Sequence, residues 1–378
     1  MLLRIYNTNK NGIAGVENHS DLKIETVLKM GAKQMSFICP VEYGMHIKNE
    51  YYIRVLDDWY VVKENAKAKP GYRKIVAELD LEDIKGKAYV NFQTKSGGET
   101  ARECAGKALA GTGWSCVSYV DDRKRSLTLN NVSAYKVLEV ICETFTCEIT
   151  WSTLTRTVYL KEKVGENRNV YFTSGFNLKE LNDQNDSYNY YTRIVPIGAD
   201  GLGIEAVNNG IPYLENYGYS NKIKTLIWED TNYKDAESLM ADAKYKLNEI
   251  SKPRKAFSIK VLDMTKLASG YEELSYGVGD TVRIMDVETG VYEEQRIIKM
   301  IEYPDNPIKN SCELSNTILT FEEMQKKLFA AANSVNNVTN GNIVIGPKVQ
   351  GMRASQIKDL EIYSTEALTN TEIENICK

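Results

Sequence analysis

The chain has 378 residues, more than one ordinary hydrophobic core organises, so roughly two to four domains are expected. Its hydrophobic fraction of 43% and charged fraction of 26% describe a soluble globular protein, and its net charge of -4 excludes the basic footprint of a nucleic-acid binder. The opening MLLRIYNTNK lacks the apolar stretch of a signal peptide, and no apolar run reaches membrane-spanning length.

Strand signals fill residues 1–95. Leu2 to Tyr6 alternates, as do Leu22 to Leu28 and Gln34 to Cys39, the last ended by Pro40. Tyr51 to Val55 and Trp59 to Val62 flank Asp57-Asp58, which reads as a two-residue hairpin turn, and Arg73 to Leu81 is a further strand. This region is expected to be an antiparallel, barrel-like sheet. The 24 Tyr against 8 Phe fit it, because Tyr carries an apolar body and a polar tip and suits half-wet strand faces and protein contacts.

Ser96-Gly97-Gly98 is a hinge into residues 96–168, where a helix and a strand occur twice. Thr100-Ala101-Arg102-Glu103 is a capping box, with Cys104, Ala105, Ala108 and Leu109 on one face behind it. Gly111-Thr112-Gly113 stops that helix, and Trp114, Cys116 and Val117 open a strand. Ser133 starts a second helix with Leu138, Ile141, Cys142 and Phe145 on its apolar positions. Cys147, Ile149 and Trp151 follow at strand spacing, then Val158-Tyr159-Leu160. Two helices on a small sheet make a module that holds other parts in place.

Residues 169–320 read as a second β-rich unit. It contains Arg193-Ile194-Val195, a turn-rich run from Pro196 to Gly201, and a helix from about Tyr233 to Ile250 with Ala236, Met240, Ala243, Leu247 and Ile250 on one face. Asn232 can cap this helix, Asp235 suits its positive end, and Pro253 stops it. Strands are expected at 256–262, 281–285, 294–303 and 311–314, with Gly277, Gly279 and Asp280 forming a tight turn for reasons of backbone geometry. In residues 321–378, Phe321, Met324, Leu328, Ala331, Val335 and Val338 form a heptad seam. It is shorter than three heptads, so packing on its own domain and self-assembly both stand. A short strand (342–348) and a capped last helix from Thr369 complete the reading, giving an α+β, mainly β, multidomain chain.

No constellation carries chemistry. His19 and His46 read as surface or loop residues without metal spacing or a nucleophile. The seven Cys lack a Cys-x-x-Cys pair and read as buried, reduced thiols. The Gly-rich turns lack a phosphate-loop ending. The adjacent carboxylates Asp57-Asp58, Asp121-Asp122, Glu272-Glu273 and Glu293-Glu294 are solvated turn charges, or point to opposite faces of a strand, where they cannot act on one bond. No catalytic residue, metal or cofactor is therefore assigned.

Three segments resemble one family. Gly111, Gly113 and Trp114, followed by the second helix and Glu148-Ile149-Thr150-Trp151, look like the inserted module of tailed-phage tail-tip proteins. The run containing Thr192, Arg193, Pro196, Gly198 and Gly201 is similar to the Thr-Arg-x-x-Pro-x-Gly-x-x-Gly segment of the same proteins, and Gly279-Asp280-Thr281-Val282 matches their Gly-Asp-x-Val turn. The family is the baseplate hub, or tail-associated, protein of siphophages and prophages, often labelled prophage tail endopeptidase.

The resemblance, over about residues 1–320, implies two barrel-like domains (1–95 and 169–320), the inserted module and a C-terminal helical extension (321–378). It implies a homotrimer that closes the tail tube at the virion tail tip, assembled in the host cytoplasm. The implied partners are the distal tail protein or tail tube, the tape-measure protein, and receptor-binding or fibre proteins, with DNA only in transit and no membrane anchor. Longer members carry a cell-wall hydrolase after the hub; the last residues of this chain are too few and too poor in His and Cys for one. A peptidoglycan-degrading endopeptidase and a receptor-binding adhesin are the alternatives.

Overall fold

The structure is a computed structural model and describes residues 1–186, 190–267 and 269–316. The seam of Phe321, Met324, Leu328, Ala331, Val335 and Val338, and the strand and helix expected after it, lie outside the described residues.

Period-two alternation builds the N-terminal strands. In chain order they are β1 (Leu3–Tyr6), β2 (Gly12–Val16), β3 (Ser20–Val27) and β4 (Lys33–Pro40), then a helical turn α1 (Val41–Gly44), and β5 (Tyr52–Val55), β6 (Asp58–Lys69) and β7 (Tyr72–Leu79). Leu3, Ile5, Leu22, Ile24, Met35, Phe37, Ile53 and Ile75 point inward. β2 was not expected, because Gly-Ile-Ala-Gly carries no alternation. The β5–β6 turn is Leu56-Asp57 rather than Asp57-Asp58, since Val55 pairs with Asp58. Asp58 is held in the strand because its Oδ1 accepts from Thr153 Oγ1 at 3.1 Å.

A short helix α2 (Glu82–Gly86) leads to β8 (Ala88–Gln93), which pairs with β10 (Thr128–Ser133) in a two-stranded ribbon. Between them lie α3 (Ala101–Leu109) and β9 (Ser115–Ser118). α3 begins with the expected capping box: Glu103 N donates to Thr100 Oγ1 and Thr100 N to Glu103 Oε2 at 2.8 Å. After β10 come α4 (Ala134–Thr144), capped by Ser133, and β11 (Glu148–Ser152) and β12 (Thr157–Lys161). β12 pairs antiparallel with β11 and parallel with β9. The helix–strand repeat of residues 96–168 is present as read. It does not, however, own a separate core: a single buried cluster runs from Leu3 through Phe37, Ile75, Phe92, Leu109, Leu138 and Trp151 to Leu160.

The remaining strands are β13 (Asn167–Thr173), β14 (Leu178–Asp186), β15 (Arg193–Ile197), β16 (Leu214–Glu215), β17 (Thr225–Glu229), β18 (Arg254–Val261), β19 (Thr281–Asp286), β20 (Val291–Glu302) and β21 (Ser311–Ser315), with helix α5 (Ala236–Ile250) between β17 and β18. The cap of α5 is Asp235, whose Oδ1 accepts from Ser238 N at 2.7 Å, so the helix starts later than the expected Tyr233 and Asn232 plays no capping part.

Two long-range features have no local sequence signal. First, β20 pairs with β3, joining both β-rich regions into one thirteen-stranded sheet of order β14-β18-β21-β20-β3-β4-β7-β6-β5-β1-β2, with β19 on β20 and β13 on β19. Second, β15, β16, β17 and α5 form a lobe inserted between neighbouring strands β14 and β18, with small cores of its own around Ile194, Ala243 and Leu247 and around Ile204, Tyr233 and Leu239. The expected unit 169–320 thus holds a sheet core (Val170, Phe172, Phe257, Ile284, Leu314) and a separate lobe.

Candidate functional site

The motif residues do not converge on one cleft; they sit at three junctions where separate parts of the chain are fastened. At the first, Gly111 (φ +78) and Gly113 (φ +75) take left-handed conformations that L side chains adopt at a cost, and so turn α3 into β9. This aims Trp114 edge-on at Trp151, with centroids 6.0 Å apart, and Arg156 lies over the Trp114 ring while donating to Thr112 O at 2.7 Å. Trp151 in turn stacks on Tyr135 and donates its indole N–H to Met30 O at 2.6 Å, tying the module to the turn after β3. A side chain at Gly31 would collide with Ile149 O, at 2.7 Å from its Cβ.

The second junction holds the turn before β19. Asp280 is buried and accepts twice at 2.7 Å, from Glu166 N on Oδ1 and from Gly277 N on Oδ2. Gly279 (φ +96) lies against Val164, whose carbonyl oxygen would be 2.5 Å from an added Cβ. Arg296 completes the joint: its Nε donates to Gly279 O at 2.8 Å and its Nη2 to Glu148 Oε2 at 2.6 Å, while Glu148 Oε2 also accepts from Val164 N at 2.7 Å. Backbone geometry explains the Gly-Asp turn, as expected. The Arg296–Glu148 pair that locks it was not foreseen, because its members stand 148 residues apart.

The third junction is the lobe. Thr192 is fully buried; its hydroxyl donates to Lys222 O at 2.6 Å and accepts from Lys224 N at 3.0 Å. Arg193 pairs with Glu215 and covers the Tyr213 ring at 4.2 Å. Pro196 occupies the middle strand of three, which its missing N–H permits because β16 pairs with β15 only at Arg193 and Ile194. Gly198 packs on Tyr233 O, 2.8 Å from an added Cβ, and Gly201 (φ +78) closes the turn. Outside the motif, Asp242 of α5 accepts from Arg125 Nη2 at 2.9 Å and from Tyr233 Oη at 2.8 Å. Burial and the neighbouring Asp242 carboxylate drive the Tyr233 phenol far above its ordinary range, so it stays a donor.

Candidate chemistry elsewhere resolves into structure. His46 is exposed in the turn after α1. His19 lies in a loop, as read, with its ring almost wholly covered: Nε2 is 2.8 Å from Asp305 Oδ2, and the ring makes an edge contact to Phe37. Glu293 and Glu294 point to opposite faces of β20, toward Lys255 and Arg283. No group of His, Cys, Asp and Glu among the described residues has the arrangement of a metal site. No described helix is long and apolar enough to cross a membrane.

Residues 166–325 match the family model described as Prophage endopeptidase tail. The chain is 24% identical over 241 residues to the SPbeta prophage-derived uncharacterized protein YomG of Bacillus subtilis, an alignment covering 58% of this chain and 27% of that protein's length. Its fold is similar to prophage tail protein gp18 from Listeria monocytogenes (TM-score 0.64, 14% identity, 88% of this chain and 100% of that one). It is also similar to the 43 kDa tail protein of prophage MuSo2 from Shewanella oneidensis (TM-score 0.59, 12% identity, 83% and 98%). The resemblance read from the three sequence segments holds in these comparisons, and so does the mainly β, multidomain fold class.

Proposed function

We propose that this phage tail/baseplate-type protein is a structural hub of the tail tip, three copies of which form a ring that closes the distal end of the tail tube. One observation carries the reading: among the described residues the long sheet ends in unlike terminal strands, two of them at the ends of its main path. Among the described residues β2 pairs only with β1, β14, apart from one bridge at Leu178, only with β18, and β13, off the main path, only with β19. A head-to-tail contact between unlike surfaces, repeated by rotation, closes a ring. It also covers the strand edges that a lone sheet leaves available for indiscriminate pairing. The β2 edge suits such a contact, being short, glycine-bearing and topped by Ile13 at 45% exposure. The solved proteins of similar fold are named as tail proteins, which supports the same class of role.

In this reading the ring joins the distal tail protein or tail tube, lets tape-measure protein and DNA pass during genome ejection, and carries receptor-binding or fibre proteins. The seam from Phe321 to Val338 is a second assembly element. The role is architectural, and the endopeptidase label of the family model is not carried over to this chain.

Light scattering with mass determination tests the proposal directly. The expected particle is a trimer, and Ile13→Lys, which places a charge on the β2 edge, converts it to monomer. A wild-type chain that stays monomeric at every concentration overturns the ring. A trimer unchanged by Ile13→Lys overturns the edge contact. Clearing of peptidoglycan in a zymogram would favour the hydrolase, and selective signals on a glycan array the adhesin.

A further inference from the structure

Helix α4 ends in a way that places two thiols side by side. After Thr144 and Phe145, Thr146 takes a left-handed conformation (φ 48). Cys147 N then donates to Cys142 O at 2.9 Å and Thr146 N to Glu143 O at 3.3 Å. This is the paired hydrogen-bond pattern of a Schellman cap, in which the residue just beyond the left-handed position touches the third residue from the helix end. In most such caps the contact is between two hydrocarbon side chains. Here Cys142 and Cys147 occupy those two positions. The backbone bond between the same two residues draws their main chains together, and a disulfide requires closely spaced Cα atoms. Both cysteines also line a crevice of about 300 Å³ with Leu28, Met30 and Tyr245, which gives small molecules a route to them.

We propose that Cys142 and Cys147 are an oxidisable pair that closes to a disulfide when the protein leaves a reducing compartment. The oxidant is a low-molecular-weight disulfide. The Cys147 thiolate attacks one of its sulfurs and expels one thiolate. The Cys142 thiolate then attacks the Cys147 sulfur of the mixed disulfide and expels the second. Two protein S–H bonds are lost, one S–S bond forms, and the two electrons leave as two small thiols that take up the two protons. Donation of the Cys142 S–H to Cys147, with burial, holds the Cys142 thiol well above its ordinary pKa, so exchange is slow at neutral pH and quickens in alkali. The product staples the last turn of α4 to the start of β11. This inference is independent of the ring.

The test is redox titration of the full-length protein with oxidised and reduced glutathione, followed by alkylation and trypsin. No Lys or Arg lies between Val137 and Arg156, so both cysteines fall in one peptide. That peptide is expected two hydrogens lighter and unalkylated in the oxidised sample, alkylated twice after reduction, with a Tm about 2–4 °C higher in the oxidised form. Cys142→Ser and Cys147→Ala should each leave the other cysteine as a glutathione mixed disulfide. A peptide that remains doubly alkylated under oxidising buffer, or a cross-link from Cys147 to Cys116 of β9 instead, overturns the proposal.

Discussion

The N-terminal cluster and the α5 lobe solve the same problem differently. The cluster from Leu3 to Leu160 fills one continuous interior with Phe37, Ile75, Phe92, Leu138 and their neighbours, so its stability rests on apolar burial. The lobe has only a few fully covered side chains in each of its two cores, and is fastened by Asp242 to Tyr233 within it and to Arg125 beyond it. A fold with little apolar interior leans on directional polar contacts, which are costly to leave half made.

The largest expected effect lies in the big cluster. Phe37→Ala should cost about 3–5 kcal/mol, seen as an earlier main transition in urea; a loss under about 1 kcal/mol would mean the site collapses freely and the contrast is wrong. Next is the joint between the module and the second β-rich region. Arg296→Met leaves the largely covered Glu148 without its cation and should cost about 2–3 kcal/mol, while the double change with Glu148→Met should restore most of that in a thermodynamic cycle. In the lobe, Asp242→Asn should cost about 2 kcal/mol and, more diagnostically, open the lobe to limited proteolysis while the N-terminal cluster stays protected. Equal protection of both regions would show that the lobe does not depend on this carboxylate.

The smallest effect is acid-dependent. Burial pushes the Glu25 carboxyl upward, but Lys23 and Lys299 outweigh it and hold it below its ordinary value. A lowered folded-state pKa gives stability that is complete above the unfolded value of about 4.3 and disappears as pH falls through the folded one. The Tm deficit of Glu25→Gln should therefore be present at neutral pH and shrink as pH falls below the unfolded value and through the lowered folded one. A deficit independent of pH would assign Glu25 a packing role.

Residue pattern made the local elements legible. The Thr100–Glu103 box and Ser133 start helices because each offers an oxygen at the right offset to a free N–H, a fact written within four residues. Alternation placed β3, β4, β7 and β18 to β21 of the same sheet to within a few residues. What was not legible depends on distant partners. Glu302 pairing with Ile24 joins the two β-rich regions, and nothing near either residue announces the other. The Arg296–Glu148 and Arg125–Asp242 pairs were hidden for the same reason. The motif glycines were legible as turns; that Gly279 and Gly165 lie back to back, too close for a Cβ on either, required the tertiary contact. His19 lies in a loop, as the sequence suggests, but the partners that cover its ring, Phe37 and Asp305, are distant in sequence.

The insertion point of the lobe has a practical consequence. Asp186 and Arg254 face each other as the last rung of the β14–β18 ladder, and the intervening chain departs from one and returns to the other. To the ladder below, that excursion is equivalent to a hairpin loop of any length. Replacing it by a two-residue turn, or by a foreign domain whose ends lie close together, keeps the register from Leu178 to Asp186 intact. The rung is thus a point where the inserted chain can be exchanged in the laboratory without changing the pairing of the strands that carry it.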